Sequence, residues 1–283
     1  MTFPTVPMMR MPLWRARATG LLAAVAMALP GAHAAAQPPQ APAAGPDTAQ
    51  VRQALQGLAV PFEANSGQFD ERVAFVGRSF AGPVYVTRHG QIIYSLPAPR
   101  AEGEAGARQR GWSLSETLVG ARVLKPYGVE LAQAQIQRFA GTQSYQADTY
   151  RNICLGQAWP GIEVELAISA KGGANVEKLF HVAPHADAQR IQVKLAGAQS
   201  LRVGAGGELV VQTGHGEVAY TAPVAYQEAG GQRIEVPVKY ALNAAGDGYG
   251  FELGMYDRTR ALVIDPLLQS EYFGVAAKTT STP

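Results

Sequence analysis

The chain has 283 residues, with 24 Lys and Arg against 22 Asp and Glu, and a formal net charge of +2. Residues 1–36 contain three of the basic residues and none of the acidic ones, so the remainder carries 21 basic and 22 acidic side chains. Nucleic-acid binding depends on basic side chains that neutralise phosphates, and this balance argues against nucleic acid as a partner.

The N-terminus has the order of a cleavable secretory signal. The basic residues are Arg10, Arg15 and Arg17. An uncharged apolar run from Ala18 to Leu29 follows, and then a stretch of small residues that ends at Ala36. The run is too short for the roughly 20 residues that cross a bilayer as a helix. We therefore expect a signal peptide over residues 1–36, cleaved after Ala34 or Ala36, and an exported protein, periplasmic or extracellular, without a transmembrane segment.

Residues 37–49 are rich in Pro and Ala and lack a periodic apolar pattern, which predicts a flexible linker. Asp47 or Thr48 then stands where a helix cap is expected. The apolar residues Val51, Leu55 and Leu58 follow at helical spacing. This spacing predicts one short N-terminal helix.

From Val60 onward, short alternations of apolar and polar residues are separated by Gly, Pro, Asn and Asp, the pattern of strands and turns. Ile162, Val164, Leu166 and Ile168 alternate with more polar residues, which predicts a strand with one buried and one wet face. The predicted strands cover residues 73–76, 83–87, 91–96, 113–119, 162–169, 178–182, 191–195, 200–203, 208–212, 217–220, 224–227, 234–241, 249–253 and 261–264. Roughly a dozen short strands predict an all-β antiparallel sandwich or meander over residues 50–274, followed by a polar tail, residues 275–283.

Cys154 is the only cysteine, so the chain has no intramolecular disulfide framework for an oxidising compartment. Its position between Ile153 and Leu155 predicts a small buried core residue. The alternatives are an intermolecular disulfide or a reactive thiol. Because no histidine lies near it in the sequence, Cys154 is a poor candidate for a nucleophile.

Four short motifs are spread over nearly the whole chain after the linker. They are Phe62-Glu63-Ala64-Asn65-Ser66-Gly67-Gln68, Trp159-Pro160-Gly161-Ile162-Glu163, Ala222-Pro223-Val224-Ala225-Tyr226-Gln227, and Tyr256-Asp257 with Leu262-Val263-Ile264-Asp265-Pro266. In this order they resemble the N-terminal domain of bacterial secreted proteins that carry β-propeller (SBBP) repeats. The resemblance runs from about Val60 to Gly274 and implies an all-β domain of uncharacterised function that normally precedes a run of propeller repeats.

The chain departs from that resemblance in two places. The family usually has a longer segment where only Gln146 to Ala158 stand here, and where the family enters its repeats this chain has only residues 271–275 and a short polar tail. A truncated relative whose propeller is encoded separately is therefore one interpretation. The resemblance implies scaffold roles for Phe62, Asn65, Gly67, Gln68, Pro160, Gly161, Pro223, Tyr226, Gln227, Tyr256, Asp257, Asp265 and Pro266. Asn65 and Gly67 suit a tight turn, and Asp265-Pro266 suits the end of a strand.

Four carboxylates are the candidate catalytic acids. Glu163 and Glu165 lie at i, i+2 on one predicted strand, about 7 Å apart, a spacing that inverting glycosidases use. Asp257 suits either a general acid or calcium ligand, or a turn carboxylate paired with Arg258 or Arg260. Asp265 joins this set only in the hydrolase hypothesis. Such carboxylates are common on wet strands and turns, so we expect no catalytic set.

The histidines and glycines also have ordinary interpretations. His181 and His185 have the spacing of helical metal ligands, but Pro184 and the strand context argue against a metal site. His89 and His215 adjoin glycines and are expected in solvated turns. Gly204-Ala205-Gly206-Gly207 resembles a phosphate loop, yet no helix follows, so a hairpin turn is expected.

The sequence thus favours an exported, non-enzymatic structural or interaction domain without cofactor or metal, whose partner is an envelope protein or a separately encoded β-propeller. The alternative is a secreted carbohydrate-active or other hydrolase that uses Glu163, Glu165, Asp257 or Asp265. Fold analogy alone is a weak warrant for that alternative, and Ser66 lacks the strand-to-helix context of a nucleophile elbow.

Overall fold

The computed structural model describes residues 61–79, 82–96, 111–133, 135–140, 143–169, 175–266 and 268–269. These residues form antiparallel sheets with a single short 3-10 helix, Ala188–Arg190, so the prediction of an all-β fold is confirmed. The strands of the first half are β1 Phe62–Ala64, β2 Val73–Ser79, β3 Gly82–Thr87, β4 Ile92–Leu96, β5 Trp112–Leu118, β6 Tyr127–Leu131, β7 Ile136–Ala140, β8 Gln143–Ala147 and β9 Thr149–Trp159. Those of the second half are β10 Ile162–Ser169, β11 Asn175–Val182, β12 Val193–Ala196, β13 Ser200–Val203, β14 Leu209–Thr213, β15 Gly216–Tyr220, β16 Val224–Ala229, β17 Gln232–Val236, β18 Val238–Leu242, β19 Gly248–Leu253, β20 Leu262–Asp265 and β21 Leu268–Gln269.

One large sheet is organised around β9. Strands β6 and β10 both pair with residues 152–154 of β9, so they lie on opposite edges of it. Strands β1 and β6 both pair with Tyr150, so β1 lies on the same edge as β10. One edge of β9 therefore starts two series of strands, β10-β11-β20-β16-β17 and β1-β2-β3-β4-β5-β12-β19-β18.

Alternation along each strand decides which side chains face the core. In β10, Ile162, Val164 and Leu166 are fully buried, whereas Glu163 and Glu165 point to the opposite, outer face. The inward residues of both series join one apolar cluster that includes Ile92, Leu114, Phe180, Tyr249 and Ile264. The two series thus form the layers of a sandwich with a common interior.

The remaining strands form a smaller sheet, β13-β14-β15-β21, and a separate hairpin, β7-β8. Residues 204–207 connect β13 to β14, because Val203 pairs with Leu209 across them. The expected hairpin turn is therefore present where the sequence resembles a phosphate loop.

Two strand predictions differ from the structure. The predicted strand 234–241 is two strands, β17 and β18, which pair with different partners, β16 and β19. Pro237 separates them, because proline has no N–H to donate to a ladder and ends each pairing. The sequence also left β6 to β9 unassigned, of which β6 and β9 belong to the large sheet and β7 and β8 form the separate hairpin.

The predicted N-terminal helix, the signal segment and the linker lie outside the described residues. Within the ranges that the structure describes, no helix is long and apolar enough to span a membrane.

Candidate functional site

Asn65 organises the turn of the first family motif. Its Nδ2 donates to the carbonyl oxygens of Asp70 at 2.8 Å and Val73 at 2.9 Å, while its Oδ1 accepts from the N–H of Gly67 at 2.9 Å. Gly67 has a φ of +115°, a conformation that favours glycine. These contacts hold the backbone of residues 65–73 between β1 and β2.

Glu63 and Gln68, in the same motif, form a second group of polar contacts. Arg138 donates to both carboxylate oxygens of Glu63 at 2.5 Å, and Gln68 Nε2 donates to Glu63 Oε1 at 3.1 Å and to the Ala64 carbonyl at 2.7 Å. Burial by itself raises the pKa of Glu63, but the hydrogen bonds from Arg138 and Gln68 outweigh it and lower the pKa below its usual value. Phe62 is fully buried beside them.

Gln227 joins the third motif to the fourth. Its Nε2 donates to the carbonyl of Asp257 at 2.8 Å, and its Oε1 accepts from the N–H of Asp257 at 2.9 Å. The Asp257 carboxylate accepts from Thr259 at 2.6 Å and from Arg260 at 3.0 Å. Asp257 is therefore a turn carboxylate paired with Arg260, and these contacts hold the loop between β19 and β20.

The other motif positions lie at turns and strand ends. Pro160-Gly161 forms the turn from β9 to β10, where a side chain at Gly161, with φ +73°, would meet Ala186 Cβ at 2.8 Å. Pro223 and Pro266 are buried, and Tyr256 packs partly buried against the core. The ring of Tyr226 lies 4.2 Å from the guanidinium carbon of Arg233.

An ionisable cluster lies on the outer face of the β6-β9-β10-β11 strands. We call it the outer-face cluster; its members are Tyr127, Asn152, Cys154, Glu163, Glu165 and His181. Cys154 Sγ donates to Glu163 Oε1 at 2.6 Å, and the Tyr127 hydroxyl donates to the same oxygen at 3.3 Å. Cys154 is buried, as expected, but its thiol faces this outer carboxylate.

Glu165 makes the contacts in the other half of the outer-face cluster. Asn152 Nδ2 donates to Glu165 Oε1 at 2.6 Å, and His181 Nε2 lies 3.0 Å from Glu165 Oε2. The side chain of His181 remains 41% exposed. A cavity of about 220 Å³ adjoins the cluster. Its lining residues are Gln157, Gly161, Glu163, His181, Val182, Ala183, Ala261, Leu262 and Val263.

The register of β9 brings this cluster together. Glu165 pairs with Cys154 and Glu163 pairs with His181, so residues distant in sequence become neighbours on one face. The pairing of β9 with β10 shifts twice, and Gly156 has a φ of +98° between the shifts. These bulges change which residues of β9 face outward, a change that alternation in the sequence does not reveal.

The electrostatics of Cys154 oppose a nucleophilic role. Burial, followed by its hydrogen bond with Glu163, raises the pKa of the Cys154 thiol to about 11. Reactivity belongs to the thiolate, which is scarce at neutral pH when the pKa is this high. The thiol therefore acts as a hydrogen-bond donor to Glu163.

Asp265 lies at the end of β20, apart from the glutamate pair. Burial, with the negative charge of Glu177, raises its pKa to about 6. Its Oδ1 is buried and has no hydrogen-bond partner among the described residues. Of the four candidate acids, the structure thus brings Glu163 and Glu165 to one cluster, while Asp257 belongs to a turn and Asp265 to a strand end.

The histidines occupy separate positions. His89 is exposed in the turn between β3 and β4, and His185 is exposed with a φ of +64°. His215 is half-buried, with its ring 5.8 Å from that of Trp112, so its expected solvation is incomplete. In the parts of the chain that the structure describes, no three His, Cys, Asp or Glu side chains are placed to hold a metal ion.

A second polar cluster lies inside the sandwich, where the sequence gave no expectation. We call it the inner cluster; its members are Glu116, Lys178, Tyr94, Tyr220 and Tyr249. Lys178 Nζ donates directly to Glu116 Oε2 and donates to the Tyr249 hydroxyl at 2.8 Å, and the Tyr220 hydroxyl donates to Glu116 Oε1. The side chains of Lys178 and Glu116 are 2% and 0% exposed.

Desolvation is the largest influence on the pKa values of Lys178 and the three tyrosines of the inner cluster. Burial lowers the pKa of Lys178, and the negative charge of Glu116 offsets part of this effect. Burial first, and Glu116 second, raise the pKa values of Tyr94, Tyr220 and Tyr249 well above the usual value. The tyrosines therefore remain protonated and available as donors to the carboxylate.

The inner cluster has a sequence signal that was missed. Glu116 stands between Leu114 and Leu118 on β5, and Lys178 stands between Val176 and Phe180 on β11, each at an inward position of an alternating strand. A single charge at such a position is costly, so two of opposite sign predict a buried pair.

Comparison with known protein families identifies a relationship. The family sequence model for the domain of unknown function DUF7948 matches residues 62–267. No curated protein and no solved structure matches the chain.

Proposed function

Because the chain belongs to the DUF7948 family, a domain of unknown function, we propose that it is an exported, non-enzymatic domain with a structural or interaction role. The observation that carries the proposal is that Glu163, Glu165 and Asp257 are each engaged by neighbouring side chains. Glu163 accepts from Cys154 and Tyr127, Glu165 contacts Asn152 and His181, and Asp257 is tied into its own turn.

The outer-face cluster is the surface that we assign to the interaction. It is a polar patch with one exposed imidazole beside a cavity of about 220 Å³, smaller than the roughly 300–1,000 Å³ of typical ligand pockets. A polar patch beside a shallow cavity suits a protein or envelope partner better than a polymer threaded through a cleft.

The finer features of the proposal come from the sequence. The N-terminal segment has the order of a secretory signal, which supports export to the periplasm or beyond. The four motifs resemble the domain that precedes SBBP repeats, which supports an accessory role toward a β-propeller.

The test is capture from the native envelope with residues 37–283 as bait, using two charge reversals. Glu165→Arg alters the outer-face cluster, whereas Lys239→Glu alters an exposed pair with Glu252 on the opposite layer. We expect one partner to be retained by the unaltered bait and by Lys239→Glu, and lost with Glu165→Arg. Retention by all three baits would show that the outer-face cluster takes no part in the interaction.

A hydrolase is the second candidate, because Glu163 and Glu165 share one face and Glu163 lines the cavity with His181. Purified protein would then turn over a polysaccharide or ester substrate, and Glu163→Gln would abolish turnover without changing the melting temperature. Such a result would replace the interaction proposal.

A further inference from the structure

The inner cluster places an amine and a carboxyl group in direct contact inside the core. Lys178 Nζ contacts Glu116 Oε2, and both side chains are withdrawn from water. The two residues lie 62 positions apart, on β11 of one layer and β5 of the other. We propose that Glu116 and Lys178 are the site of an intramolecular amide bond between Glu116 Cδ and Lys178 Nζ, formed by the folded protein itself.

The reaction balances without a cofactor or an oxidant. A proton passes from the Lys178 ammonium to the Glu116 carboxylate, which leaves a neutral amine beside a neutral carboxylic acid. The amine lone pair attacks Cδ, forming the C–N bond, and one C–O bond breaks. The departing oxygen leaves as water, so ammonium and carboxylate together give one amide and one water molecule.

Burial favours each part of this reaction. Desolvation lowers the pKa of Lys178 and therefore favours the neutral amine that attacks. The amide that results carries no net charge, so the product removes two charges from the core. Because the expelled water leaves an apolar interior, hydrolysis of the amide is also opposed.

The neighbouring hydroxyls are placed to assist. The fold holds the two reacting groups in contact, which replaces an encounter in solution with an intramolecular step. The Tyr220 hydroxyl donates to Glu116 Oε1, the oxygen on which negative charge develops when the amine attacks. The Tyr249 hydroxyl accepts from Lys178 Nζ at 2.8 Å and orients the nitrogen.

Other Lys–carboxylate pairs in the chain provide an internal contrast. Lys194 lies 2.9 Å from Asp247 and Lys239 lies 3.0 Å from Glu252, but all four side chains are at least 39% exposed. Water stabilises these charged pairs and competes for their hydrogen bonds. The amide is therefore specific to the buried pair.

The test is the mass of the purified, folded protein under denaturing conditions, with the mature N-terminus fixed by its terminal peptide. We expect the intact mass to be lower than the sequence mass by one water molecule. Trypsin should leave Lys178 uncut and release a branched peptide, in which residues 111–122 are joined to residues 172–190. The peptides that contain Lys194 and Lys239 should be unbranched.

Lys178→Met and Glu116→Ala should each show the full sequence mass. The unaltered protein decides the question even where these variants fail to fold. A folded sample that keeps the full mass after prolonged incubation, with trypsin cutting at Lys178, would overturn the proposal. So would a loss of water that maps to another residue pair.

Discussion

The inner and outer-face clusters both pair glutamate with a basic side chain and both include β11, yet their surroundings make them chemically different. On β11, Lys178 points inward and His181 points outward, and only the inward side chain is withdrawn from water. The outer pair, Glu165 and His181, keeps contact with solvent, which screens it. Strand alternation along β11 thus assigns Lys178 to the core and His181 to the surface.

Removing one partner of the inner pair should produce the largest effect. Lys178→Met leaves the Glu116 carboxylate buried without its cation and without the proposed amide, so we expect a loss of at least about 3–5 kcal/mol in the free energy of unfolding. The double variant Glu116→Gln with Lys178→Met should recover the part of that loss that the unpaired charge causes, because it buries no charge. Urea unfolding measures the free energy of unfolding of both variants.

The matched control for that prediction is on the outer face. His181→Gln removes one partner of an exposed pair and should change the free energy of unfolding by about 1 kcal/mol or less. Equal losses for Lys178→Met and His181→Gln would contradict the distinction between the two clusters.

The alkylation rate of Cys154 tests whether any group of the outer-face cluster is withdrawn from water. With a pKa raised to about 11 from the reference of 9.0, its thiolate fraction at pH 8 should be about hundredfold lower than that of an ordinary cysteine. We expect iodoacetamide to alkylate the folded protein slower than the urea-unfolded protein by at least that factor. Glu163→Gln should speed alkylation of the folded form, since it removes the carboxylate that helps to raise the pKa. Equal rates in the folded and unfolded protein would show an accessible, ordinary thiol.

Asp265 should give a smaller effect than the inner pair, as a dependence of stability on pH. Its pKa is raised from 3.8 to about 6 on folding, so the folded state binds the proton more tightly than the unfolded state does. The stabilising contribution is therefore present below about pH 4 and lost as the pH rises through 6. Allowing for partial screening, the change is on the order of 1–2 kcal/mol.

Asp265→Asn removes that titration. We expect the variant to match the unaltered protein near pH 4 and to exceed its melting temperature at pH 7. A parallel pH profile for the two proteins would assign the titration to another group.

Strand positions were largely readable from the sequence because alternation and turn residues are local signals. The segment 162–169 is a strand with Glu163 and Glu165 outward, as the pattern predicted. Pro237 was overlooked as a break, although its missing N–H is also a local property. The unassigned strands β6 to β9 include β9, whose bulges interrupt the alternation on which prediction depends.

The residues that make up the two clusters were harder to predict from the sequence. The neighbours of Cys154 were sought along the sequence, whereas strand register places it beside Glu163 on the sheet face. The pairing of Glu116 with Lys178 depends on two layers closing over one another. The sequence shows two inward charges of opposite sign, but it does not show which strands face each other across the core.

The position of β20 has a consequence for how the molecule assembles. Although it lies late in the chain, β20 is inserted between β11 and β16 instead of being added at an edge. The hairpins β2-β3 and β3-β4 can form as soon as they are synthesised, but this layer stays incomplete until residue 265 is available. Pairings between distant segments slow folding. Until that strand is in place, β11 and β16 each lack one neighbour, so we expect this layer to close late in folding.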